Sequence, residues 1–160
     1  MDEASKQIAR FLEALSAIAV GDDLYRGPNS LRMKLIQRGL APTRPSQGIS
    51  VFAQYKIDSI EYEAGLAIGM SVKITPEKQL DFSITLLSHN EGWAIETDVL
   101  FDLWPEDEGQ KSMRDFPTRQ ARTMEECVAQ LQAAALDLAG CDNVIDEITS
   151  AGMVFLSGTP

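Results

Sequence analysis

The stretch IEYEAGLAIGMSVKI, residues 60–74, decides the fold. Ile60, Tyr62, Ala64, Leu66, Ile68, Met70, Val72 and Ile74 occupy every second position in it. Successive side chains of an extended chain point to opposite faces, so this alternation collects the apolar residues on one side of a strand. Upstream, Ile49, Val51, Ala53, Tyr55 and Ile57 alternate in the same way, and the phase slips by one at Asp58-Ser59. A slip of one residue predicts a bulge or a turn there. Gly65 and Gly69 offer a second break, so residues 49–74 read as two strands or three. Downstream, Thr75-Pro-Glu-Lys-Gln79 predicts a hairpin loop, followed by an inward row of Phe82, Ile84 and Leu86. Ser88 to Gly92 is a further turn, and Trp93, Ile95, Thr97, Val99, Phe101 and Leu103 make the next row. Such short connections imply an antiparallel meander of about four to five strands.

Helical periodicity appears outside this centre. Ile8, Phe11, Leu12, Leu15, Ile18 and Ala19 recur at three- and four-residue steps, which predicts an amphipathic helix over 4–20 that stops at Gly21. Ser30 as N-cap and Gly39 as terminator frame a short helix over 31–38, with Leu31, Leu35 and Ile36 inward and Arg32, Lys34 and Arg38 outward. Prolines and a glycine over 41–48 predict a loop. Residues 105–122, with Pro105, Gly109 and Pro117, read as a long loop, acidic and then basic. Thr123 and Glu126 form a capping box that opens a helix over 124–139, with Met124, Cys127, Val128, Leu131, Ala135 and Leu138 as its buried stripe and Gly140 at its end. Val144, Ile145 and Ile148 suggest another short helix, and residues 153–156 are open to a strand. The class is therefore α+β, a single domain over 1–160, with N- and C-terminal helices packed on one face of the sheet.

Charge is sorted into blocks along the chain. Residues 24–57 hold six basic side chains and no acid, and residues 58–110 hold twelve acids against Lys73 and Lys78. Residues 111–122 return to a net +3, and residues 123–160 hold six acids and no base. The whole chain carries −10. A polyanion is repelled by nucleic acid and by anionic membrane, so neither is expected as a partner, whereas a basic protein is. No apolar run approaches the roughly 18 residues that span a bilayer. The start Met-Asp-Glu lacks the basic and apolar regions of a secretory signal, and the two cysteines do not form a disulfide framework, so a cytoplasmic location is expected.

No catalytic constellation accompanies the charge pattern. The residues alternating with the core rows are Glu61, Glu63, Lys73, Asp81, Ser83, Thr85, Glu96, Asp98 and Asp102. Glu96 and Asp98 stand about 7 Å apart by strand rise, a spacing at which carboxylates perform acid–base work or hold a cation. Exposed carboxylates are also the ordinary content of a half-buried sheet, and a solvated face accounts for them more simply. His89 lies in a turn with no nucleophile placed beside it, and Cys127 sits on an apolar stripe as a small hydrophobe. There is no glycine-rich phosphate loop, no CxxC and no HExxH, so neither cofactor nor metal is called for. Trp104 is out of phase with the core row of its strand and precedes the acids Glu106, Asp107 and Glu108. An aromatic bordered by acids has the make-up of an interface anchor with a polar rim. The basic block lacks interleaved aromatics apart from Tyr25, and neutralising the protein's own acidic face is its simplest role.

From about 80 to 140 the order of features is a meander ending in Trp93-Ala-Ile-Glu96, an acidic loop, Phe116-Pro117 and the capped helix beginning Thr123-Met-Glu-Glu. This resembles small acidic immunity proteins of bacterial toxin systems. The resemblance implies a stoichiometric inhibitor of a cognate toxin, without catalysis of its own. A second resemblance, to the small acidic α+β chaperones of type III secretion, implies a dimer that binds an effector. Those chaperones place a helix within the strand series, and Thr75 to Gln79 is too short to hold one. A third reading is a small-ligand protein or enzyme with a carboxylate-lined pocket. The contact residues expected of the first reading are Glu61, Glu63, Glu96, Asp98, Asp102, Trp104, Glu106, Asp107 and Glu108, against a basic toxin or effector.

Overall fold

The computed structural model describes residues 22–43, 49–57, 60–76, 78–89, 92–103 and 109–150; within the strands, residues 49–66, 89, 103, 109 and 110 are described by backbone alone. The expected helix over 4–20, Trp104, the acids 106–108 and the tail 153–156 lie outside the described residues. Among the described residues six strands form one open antiparallel sheet: β1 (Ile49–Ile57), β2 (Ile60–Thr75), β3 (Lys78–His89), β4 (Gly92–Leu103), β5 (Gly109–Asp115) and β6 (Arg119–Ala121). The spatial order is β1-β2-β3-β4-β5, and β6 also pairs with β4. The helices are a single π-type turn (Asp22–Arg26), α1 (Leu31–Gln37), α2 (Met124–Ala139) and α3 (Val144–Ser150). The α+β meander expected from the alternation is the fold observed.

Hairpins join the first four strands through two-residue connections, closing on Ile57 with Ile60, Thr75 with Lys78 and His89 with Gly92. The phase slip at Asp58-Ser59 is thus a hairpin. The second break expected at Gly65 and Gly69 does not occur, and β2 runs through both. Gly69 serves another purpose. A Cβ built on it would stand 1.8 Å from the Phe82 carbonyl oxygen, so only glycine lets β3 approach there. Its own carbonyl accepts a hydrogen bond from the Tyr25 hydroxyl at 2.8 Å. Gly92 is constrained twice, by φ +146° and by a Cβ position 2.1 Å from the Ala121 carbonyl oxygen.

The expected loop over 105–122 is corrected in its second half. β5 pairs with the far end of β4 (Asp98–Leu103), and β6 pairs with the near end (Trp93–Ile95). Together they form one interrupted edge strand, with Phe116 and Pro117 at the break. Neither segment alternates in the sequence, because an edge strand that carries a bulge and polar residues loses the period-two signature.

One core joins the sheet to the helices. Ile68, Met70, Val72, Leu80, Phe82, Ile84, Leu86, Trp93, Ile95, Val99 and Phe101 supply its floor, and Leu24, Leu31, Leu35, Cys127, Leu131, Ala135, Leu138, Val144, Ile145 and Ile148 its roof. Ser30 caps α1, its hydroxyl accepting the Met33 N–H at 3.2 Å. Gly39, at φ +84°, ends that helix in a Schellman arrangement: its N–H reaches Ile36 O, and the Leu40 N–H reaches Leu35 O. Ile36, expected inward, is 38% exposed. Seven residues give too short a helix to bury more than the narrow stripe that Leu31 and Leu35 fill. Thr123 caps α2 through the Glu126 N–H at 3.1 Å, and Glu126 accepts the Arg122 N–H at 3.0 Å, one residue before the reciprocal partner of the usual box.

Candidate functional site: the carboxylate face of the sheet

Two faces of the sheet bear opposite electrostatic arrangements. On the helical side, the basic blocks meet the acids of the C-terminal block. Arg38 of α1 contacts Asp142 at 3.1 Å and Asp146 at 2.9 Å, and Lys34 lies 3.7 Å from Asp142. Arg119 of β6 contacts Asp137 at 2.8 Å and Gln130 at 3.0 Å, and Arg114 of β5 pairs with Glu147. Lys34 also donates to the Ala139 carbonyl oxygen at 2.6 Å, capping a helix whose last turn contains no base of its own. Four of the six acids in 123–160 are neutralised in this way. Lys34 and Arg38 thus pair with Asp142 and Asp146 of the C-terminal block rather than with the acidic sheet face, the partner expected for the basic block.

The opposite face is built differently. Register places Ser83 beside Asp98 and Asp98 beside Asp115, across β3, β4 and β5. Asp81 stands two residues along β3 from Ser83. Ser83 donates to Asp98 at 2.8 Å, and Asp81 accepts from Ser71 at 2.6 Å and from Gln79 at 2.7 Å. Hydroxyl and amide donors support these carboxylates without cancelling their charge. Partial burial raises the Asp98 pKa, the Ser83 hydrogen bond opposes that rise, and the charges of Asp115 and Asp81 add to it. Like charges held this close favour an incoming cation as well as a proton.

Asp115 reaches this row because of a bulge. Between Val99 and Leu100 the pairing shifts, so Arg114 stands opposite Val99 while Ser112 stands opposite Leu100, and Met113 is the extra residue. The shift sends Arg114 toward Glu147 on the helical side and leaves Asp115 beside Asp98. Sequence reading, which took this segment as loop, had no signal for it beyond a lone acid within a basic block.

Of the expected contact residues, Glu96, Asp98 and Asp102 lie along this face of β4, each half-buried. Glu61 and Glu63 are in β2, where Glu61 pairs in register with Lys56 of β1. Trp104, Glu106, Asp107 and Glu108 lie outside the described residues. The polar field does not extend over the whole face. At the His89–Gly92 end, Leu87 and Ala94 alternate with the core rows and are nonetheless buried, at 0% and 2% exposure. The field therefore runs from Thr85 and Glu96 toward Gln79 and Asp102. Among the described residues no group of three or more His, Cys, Asp or Glu is arranged to hold a metal ion.

Both cysteines are free and buried. Burial pushes the Cys127 thiol up to about 11, so it stays protonated and packs as the small hydrophobe the sequence implied. Burial also raises the Cys141 thiol, against the pull of Arg114. Trp93, first of the core row on β4, is buried as expected. No described helix is long and apolar enough to cross a membrane. Set against family models, curated proteins and solved structures, the chain matches none, so its functional reading rests on its own residues.

Proposed function

We propose that this chain is a non-enzymatic protein-binding module, an immunity-type inhibitor that uses the carboxylate face of its sheet to occupy a basic site on a toxin. One observation supports the reading above the others. Basic side chains neutralise acids on the helical side, whereas among the described residues Asp81 and Asp98 take hydroxyl and amide donors and Asp115 is exposed. A negative field of this kind steers a cationic partner and speeds its encounter, and it repels acidic competitors. The two-residue hairpins leave no helix between the first four strands, a layout that favours this reading over the secretion-chaperone one.

The test is kinetic. A partner is isolated by cross-linking in the source cell, and its association with the purified chain is followed at low and high salt. Charge reversal at Asp98 and Asp102 is expected to slow association at low salt and to flatten its salt dependence, with a smaller change in dissociation. An association rate unchanged in the reversed protein would overturn the assignment of this surface.

A further inference from the structure

We infer that the outer edge of β1 pairs with β1 of a second copy, joining two sheets into one across a two-fold axis. Among the described residues the sheet is open, and its two edges are treated unequally. The β5–β6 edge is blunted by every common device: short segments, a bulge at Met113, a break at Pro117, and the charges of Lys111, Arg114, Asp115 and Arg119. β1 has none of these. It is nine residues long, ISVFAQYKI, with no proline, no glycine, no acid and a single charge at Lys56. Its pairing with β2 runs from Ile49 to Ile57 without a register shift.

Hydrogen bonding along β2 fixes which backbone groups of β1 face outward. Beyond the Ile49 end of β1, on the same side of β2, the Ser71 N–H donates to the Thr43 hydroxyl and the Ser71 carbonyl accepts the Thr43 N–H, so the odd-numbered residues of β2 bond toward β1. Ladder pairs alternate without a register shift, so Ser50, Phe52 and Lys56, opposite Ala67, Gly65 and Glu61, direct their N–H and C=O groups at β2. Val51, Ala53 and Tyr55 direct theirs away from it.

The occupant follows from charge and pattern. A chain of net −10 repels its own copies wherever acids meet, and β1 closes the acid-free block 24–57. Centred on Ala53, an antiparallel pairing of two β1 strands sets Val51 against Tyr55 of the second copy and Phe52 against its Gln54. The position of Lys56 falls opposite Ser50, and the two lysines stand about 20 Å apart. The rows that continue Ile68 and Ile84 in one copy meet the same rows of the other. Five residue pairs, centred on Ala53 with its own copy, then exchange about ten backbone hydrogen bonds in a closed, isologous contact.

Light scattering during size exclusion tests this. The wild-type chain is expected at twice its 17.6 kDa and Ala53→Pro at the single mass, because proline removes an outward N–H and leaves the β1–β2 ladder its donors. Ala53→Ser should remain dimeric. Should Ala53→Pro fail to fold, hydrogen exchange on the wild type decides: the amides of Val51, Ala53 and Tyr55 are expected to lose protection on dilution, while those of Phe52 and Lys56 keep theirs. A wild type of single mass at every concentration overturns the proposal, as does a dimeric Ala53→Pro. Outward amides protected at every dilution would also overturn it, since another segment of the same chain would then cover the edge.

Discussion

The helical side of the sheet and its carboxylate side hold similar charges and do opposite things with them. On the first, arginines from α1, β5 and β6 tie down acids after residue 136, above a core of fully buried side chains. On the second, Asp81 and Asp98 take hydroxyl and amide donors, and Asp115 stands in register beside Asp98. The difference separates two uses of charge. Paired charges around a core specify how the layers sit together and add little net stability. Like charges gathered in a row cost some stability and create a field. A face that costs stability without contributing to the core is where function is expected, since natural proteins accept strain at working sites.

The comparison is broken most severely from the core side. Phe82→Ala removes a ring that is 1% exposed beneath the helices and should cost about 3–5 kcal/mol, measured by urea unfolding. A loss below about 1 kcal/mol would mean that the helices do not roof the sheet as described. Tyr25→Phe comes next. Burial pushes the Tyr25 phenol up to about 12, and its hydroxyl donates to the Gly69 carbonyl oxygen. The folded state thus holds this proton more tightly than the unfolded chain, whose tyrosine titrates near 10. The corresponding stability is fully present below pH 10, is lost as the pH rises toward 12, and amounts to roughly 2 kcal/mol. Alkaline melting curves of wild type and Tyr25→Phe should converge over that window, and parallel curves would refute the linkage.

The smallest effect sharpens the comparison best. Asp98→Asn keeps an oxygen for Ser83 and deletes a charge whose pKa the fold raises. A raised carboxyl pKa means that the charged form is disfavoured by folding, so wild-type stability falls as pH rises through that value. The substitution should therefore be neutral or stabilising by about 0.5 kcal/mol at neutral pH, and should remove that slope at acid pH. Arg38→Met on the other side should instead destabilise by about 1 kcal/mol, because it leaves Asp142 and Asp146 without their guanidinium. Shifts of the same sign in both proteins, read as thermal midpoints, would erase the distinction between the faces.

The legible parts of the sequence were those with a period. Strands β1, β2 and β4 alternate for nine residues or more, β3 does so over the shorter row of Phe82, Ile84 and Leu86, and α2 repeats its stripe between an N-cap and Gly140, so element type followed directly. Hairpins followed from the phase slip and from the turn residues. The edge strand was not legible, because β5 and β6 are polar, bulged and split by Pro117; only their hydrogen bonding to β4 makes them strands. The candidate site divides along the same line. Asp98 and Glu96 were found because parity on a regular strand fixes a face. Asp115 was missed because its face depends on a one-residue insertion at Met113, which period counting cannot see. The Arg38 and Arg114 partners were equally hidden, since they join residues 108 and 33 positions apart.

Lys34 and Arg38 grip the corner between α2 and α3 across separations of 104 to 108 residues. A polypeptide with such clasps is nearly circular. The corner after α2 acquires its cap only once a loop the length of the whole sheet has closed, and forming so distant a contact is slow. During synthesis, α1 leaves the ribosome long before the carbonyl it will cap has been made. The last turn of α2 is therefore expected to gain order late, after the meander beneath it has assembled.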